Sequence, residues 1–173
     1  MQLDARAVTR EPAVPLVVAD WKIDAEVVAA RCRQRLGQGA AVRVVVPAWL
    51  HGLDWAGDPF GSVPCARRQA ELLSRLCRDA GLNVLSAEVG DPDPLSAITD
   101  ALFDRTACRI LLFAAGRHVS AGHPFGLARR TERLTGLAVH GFRVPPALEA
   151  SRGRRFAFGH CEGRIRVLPS LTR

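Results

Sequence analysis

Ser120 lies between two imidazoles, in the stretch His118-Val119-Ser120-Ala121-Gly122-His123. A hydroxyl becomes a nucleophile when a neighbouring base takes its proton, so the chemistry open to this segment is that of a serine-type hydrolase with His118 or His123 as base. The sharp turn that presents such a serine calls for G-x-S-x-G, and His118 stands where the first glycine belongs. No catalytic residue is therefore assigned, and the hydrolase with Ser120, His118 and His123 stands as the alternative reading. Asp91 and Asp93 offer a second pair, of the type used for acid–base work or cation binding. The surrounding Gly90-Asp91-Pro92-Asp93-Pro94 favours structure instead: Asp93 is placed to cap a helix whose first position is Pro94, where a missing N–H costs nothing. No metal site is expected. Two dispersed histidines are a weak ligand set, and Cys32, Cys65, Cys77, Cys108 and Cys161 are widely spaced with no C-x-x-C pair. The cysteines read as buried reduced thiols, with Cys32 and Cys77 in helical patterns and Cys108 opening an apolar run.

These residues hang on a regular alternation. Short apolar runs at Val14–Ala19, Ala41–Val46, Leu82–Val89, Cys108–Phe113 and Leu137–Val144 read as buried strands. Between them lie helical patterns. The first starts at Asp24, with Ile23, Val27, Ala30 and Leu36 as its apolar stripe and Gly37 as its stop. The second covers 65–80 with Ala66, Ala70, Leu73, Cys77 and Ala80 on one face, arginines off it, and Gly81 at the left-handed terminal position. The third begins at Pro94 and buries Leu95, Ile98 and Leu102, and a weaker one covers about 125–136 with Arg129, Arg130 and Arg133. Strands alternating with helices imply an α/β fold with a parallel sheet and helices on both faces. The long connection 48–63 carries Trp49, His51 and Trp55, read as packing the loop onto the domain rather than stacking on a base. Beyond Pro145-Pro146, Phe156 and Phe158, then Ile165 and Val167, alternate with other residues around Gly159–Gly163, as a β-hairpin would. The chain thus divides into an N-terminal extension (1–13), the α/β domain (14–146) and an Arg-rich C-terminal hairpin or tail (147–173).

Of 173 residues 48% are apolar and 24% charged, which excludes wholesale disorder and a disulfide-built miniprotein. Lys and Arg number 24 against 17 acids, a net charge of +7, and Lys22 is the only lysine. Residues 151–173 hold six arginines and the single acid Glu162, so they supply +5 of that charge. A basic tail with interleaved phenylalanines suits nucleic acid or protein contact, and it equally suits a charged edge that resists aggregation. The second is preferred and nucleic acid is disfavoured. No secretory signal is expected from Met1 to Pro12, and no apolar run is long enough to span a membrane. The expected location is the cytoplasm.

The stretch 14–145 resembles the universal stress protein superfamily, in particular a bacterial branch of stress-protein-like α/β domains. The resemblance is carried by Gly90-Asp91-Pro92-Asp93-Pro94-Leu95-Ser96-Ala97-Ile98-Thr99-Asp100-Ala101-Leu102. It is supported by Val46-Pro47-Ala48 before a Trp-containing loop and an Ala/Arg-rich helix, by Cys108–Phe113, and by Phe142-Arg143-Val144-Pro145. It implies a Rossmann-like five-stranded parallel sheet in the order 3-2-1-4-5. Nucleotide-binding members carry G-x2-G-x9-G-S/T after the fourth strand. Here Gly116, Gly122 and Gly126 stand at another spacing, with no Gly-Ser or Gly-Thr pair. Members also place an acid at the end of the first strand, on the adenosine side of the ligand, and Asp20 matches it.

In an open parallel sheet the ligand crevice lies beyond the carboxyl ends of the strands, where the order reverses. With the implied order it falls between the first and fourth strands, lined by Asp20, Pro47 and the loop Gly116 to His123. Asp20, Pro47, Gly116, Arg117, Gly122 and His123 are therefore the candidate binding residues, with Arg117 and the helix start near Pro124 facing an anion. The implied role is a non-enzymatic stress-response sensor or adaptor, with ATP or AMP as candidate ligand and a homodimer as candidate assembly.

Overall fold

The computed structural model describes residues 13–50, 61–103, 105–115 and 126–147. Five strands, β1 (Val14–Ala19), β2 (Ala41–Pro47), β3 (Asn83–Gly90), β4 (Ala107–Ala114) and β5 (Val139–Arg143), form one parallel sheet in the order β3-β2-β1-β4-β5. The order is the one implied by the resemblance. Four described helices connect them: α1 (Ala25–Leu36), α2 (Ser62–Asp79), α3 (Pro94–Phe103) and α4 (Leu127–Thr135). The C-terminal hairpin lies outside the described residues.

The handedness of parallel crossovers decides where each helix goes. The steps β1 to β2 and β2 to β3 run one way across the sheet, so α1 and α2 share a face. The steps to β4 and β5 run the other way, so α3 and α4 take the opposite face. Strand side chains alternate accordingly. Val17, Ala19, Val42, Val44, Val46, Leu111 and Phe113 meet α1 and α2. Leu16, Val18, Val45, Ile110 and Leu112 meet α3 and α4. Because β1, β2 and β4 are covered on both faces, they are apolar on both faces, apart from Arg43 on β2 and Arg109 in β4, rather than alternating in polarity.

The stripe of α1 differs from the sequence expectation. Ala25, Val28, Ala29 and Cys32 are buried, while Val27 is only half-buried and Ala30 is exposed. Both sets have helical spacing. Packing against the sheet decides between them, and Asp24 caps the helix, its Oδ1 accepting the Glu26 and Val27 N–H groups at 2.9 and 3.3 Å. The α2 stripe follows the expectation and ends in a Schellman motif. Leu82 N–H donates to Cys77 O and Gly81 N–H to Arg78 O, with Gly81 at φ +82°.

Cys32 and Cys77 are buried as expected, but Cys108 is exposed. The register explains it: Val14 pairs with Ala107 and Leu16 with Ile110, so two β4 residues, Cys108 and Arg109, oppose one on β1. This bulge turns both side chains outward. A second bulge lies on the edge strand β3, where Leu85 is the extra residue between the Val42–Val84 and Arg43–Ser86 pairs.

Candidate functional site

The carboxyl ends of β1 and β4 are adjacent, and the chain leaves them toward opposite faces, into α1 from β1 and toward α4 from β4. In open parallel sheets such a divergence is where a ligand crevice forms. Asp20, the first residue beyond β1, lies at this end of the sheet and is only 3% exposed. Its N–H donates to Phe113 O at 2.9 Å, which ties it to β4, and its Oδ1 accepts the Lys22 N–H at 3.0 Å. A carboxylate so deeply placed is held only where donors satisfy it. Pro47 ends β2 within the sheet, paired with Gly90, and the following Ala48 N–H donates to Gly90 O. Asp20 and Pro47 thus come to the same end of the sheet. Gly116, Arg117, Gly122 and His123 lie outside the described residues, as do the hydrolase candidates Ser120 and His118.

The turn Asp20–Asp24 also anchors its neighbours, which the sequence reading missed. Trp21 Nε1 donates to Trp49 O at 2.8 Å, and Gln69 Nε2 on α2 donates to Ile23 O at 2.9 Å. Beyond β5 the chain returns to the same turn: Asp24 N–H donates to Pro145 O, Ala147 N–H donates to Lys22 O, and Ile23 and Pro146 form a bridge. The only sequence signal for this return was the Pro145-Pro146 pair that ends β5. Lys22 Nζ stands over the Trp21 ring at 4.7 Å. Trp49 is half-buried against the α3/α4 core, in line with the packing reading, whereas His51 and Trp55 lie outside the described residues.

At the β3–α3 junction the structural reading of the aspartates holds. Asp91 Oδ1 accepts the Asp93 N–H at 2.7 Å, and Asp93 Oδ2 accepts both the N–H and the hydroxyl of Ser96 at 3.0 Å. Gly90 has a reason to be glycine: a Cβ there would lie 2.5 Å from the Ala97 Cβ and 3.0 Å from a Val45 methyl. Across β2, Arg43 is 5% exposed and sends its guanidinium to the end of α3, donating to Ala101 O, Arg105 O and Thr106 O at 2.8, 3.2 and 3.4 Å. An Arg inside an apolar strand gave no sign in the sequence that it caps a helix 58 residues away.

The N-terminus of α4 opens toward the crevice end of the sheet. Its N-cap is Gly126, and no side chain among the described residues caps it. The first N–H groups of the helix are the anion-attracting end of its dipole. Among the described residues no cluster of three or more metal-ligating side chains occurs, and no helix is long and apolar enough to cross a membrane.

No protein-family model matches the chain, and no curated protein matches it. It is similar to the solved structure of the universal stress protein from Archaeoglobus fulgidus, with 21% identity, 73% of this chain and 90% of that chain covered, and a TM-score of 0.47. It is also similar to that protein's structure in complex with dAMP, with 20% identity, 73% and 94% covered, and a TM-score of 0.43. Both of these structures are of universal stress proteins.

Proposed function

We propose that this protein is a non-enzymatic cytoplasmic sensor or adaptor of a stress response, which binds an adenine nucleotide or a related anion in the crevice between β1 and β4. The observation that carries the reading is the placement of Asp20, a buried carboxylate at the point where the strand order reverses. There it suits the hydroxyl and amino donors of a nucleoside. The uncapped start of α4 suits the phosphates, with Arg117 as their counter-charge. The reading assigns no catalytic residue.

Thermal unfolding with added ATP, AMP or inorganic phosphate tests this. A ligand at 100 times its Kd adds about 2.7 kcal/mol, which for a chain of this size raises the midpoint by roughly 5–10 °C. The shift is expected with ATP or AMP, weaker with phosphate, and lost in Asp20→Asn. No shift with any of them would overturn the reading.

A further inference from the structure

The C-terminal ends of α1 and α2 are held side by side by two independent ties. Arg33 of α1 donates to Ala80 O at the end of α2, and Gly39 N–H donates to Gly81 O at 2.7 Å in the loops just beyond. Between these ends, Cys32 and Cys77 face each other. Both are 0% exposed, both belong to the same core, both are free thiols, and each shifts the other's acidity. Packed helices lie about 8–10 Å apart, and each Cα stands about 2.3 Å off its axis, so facing Cα atoms fall within the span a disulfide bridges.

We propose that Cys32 and Cys77 are a redox-active dithiol, which a hydroperoxide closes into a disulfide that staples α1 to α2. The Cys77 sulfur, as thiolate, attacks the peroxide. An S–O bond forms as the O–O bond breaks, and the departing oxygen takes up a proton to leave water or alcohol and a Cys77 sulfenic acid. The Cys32 sulfur then attacks the Cys77 sulfur. The S–S bond forms as the S–O bond breaks, and the departing hydroxide leaves as water with the Cys32 proton. Two electrons pass from the two thiols to the peroxide. The division of roles follows the pair's polarity. The hydrogen bond from Cys32, followed by the charge of Arg78, lowers the Cys77 pKa against the opposing effect of burial, while the bond to Cys77 and burial raise that of Cys32. Burial makes the reaction wait on local opening of the helix pair, so the staple records sustained rather than passing oxidation.

The test uses the full chain carrying Cys65→Ser, Cys108→Ser and Cys161→Ser, treated with hydrogen peroxide below its unfolding midpoint. Expected are a mass loss of two hydrogens reversed by dithiothreitol, a linked peptide joining Cys32 to Cys77, and a midpoint raised by roughly 5–10 °C. Adding Cys77→Ala, which keeps a small apolar group in the core, abolishes all three. Recovery of both thiols unlinked after prolonged exposure, or a linked form with an unchanged midpoint, overturns the proposal.

Discussion

Arg43 shows how one side chain serves two elements. Its strand neighbours Val42, Val44 and Val45 are buried for apolar reasons, while its guanidinium satisfies carbonyls at and beyond the end of α3 that have no partner within the helix. Bonds to a charged group are worth about 1.5–3 kcal/mol, so Arg43→Met is expected to lower stability by about 2–4 kcal/mol, read as a lower urea midpoint at unchanged slope. Arg43→Lys recovers only part, since the shorter side chain carries its donors on one nitrogen where the guanidinium spreads them over two. Thr131 is the reverse case. It is wholly buried on α4, and its Oγ1 has no hydrogen-bond partner. Thr131→Val removes the unmet hydroxyl at nearly constant shape. The expected result is unchanged stability or a gain of up to about 1 kcal/mol in the same assay. At this scale the sequence was readable where a residue acts on its own neighbours, as Asp93 does on Ser96. It was silent where partners lie far along the chain, as for Arg43 and for Trp21 on Trp49.

Among the elements, the most exacting contact is that of β3 with α3. Gly90 lets the first turn of α3 come down onto the end of the sheet, with Ala97 against the space a Cβ would fill. Gly90→Ala is expected to cost about 1–3 kcal/mol through overpacking. The diagnostic measurement is a double-mutant cycle: Ala97→Gly alone is destabilising, yet in the Gly90→Ala background it restores part of the loss. Additive effects would show that the clash is relieved elsewhere. Strand and helix positions were legible because apolar runs and glycine stops recur in order. The phase of α1 was not, since two stripes compete within Ala25–Leu36 and only packing against the rest of the core selects between them. The exposed Cys108 was equally hidden, because a bulge is a property of two strands in register and leaves no mark in one.

For the whole molecule, fold and crevice position follow from strand order alone, and that order came from the resemblance rather than from periodicity, which cannot rank strands. Charge is also a whole-molecule quantity. Six of the arginines lie in 151–173, and replacing them with Gln takes the formal charge from +7 to +1. That variant is expected to leave a cation-exchange column at markedly lower salt while binding ATP or AMP as before, if the crevice and the tail act separately. Loss of nucleotide binding in this variant would place the tail's charge in the binding reaction.

The order β3-β2-β1-β4-β5 has a consequence for synthesis. Val14 on β1 waits for Ala107 on β4, so a chain emerging from the ribosome assembles β1, β2 and β3 with α1 and α2 before β1 has its second neighbour. Until then, the unpaired backbone edge of β1 and its apolar Leu16 and Val18 face are open, which is the template for pairing between nascent chains. The same late arrival that builds the crevice therefore also sets the interval in which the growing protein is most prone to aggregate, and slowing translation before residue 107 should lower its soluble yield.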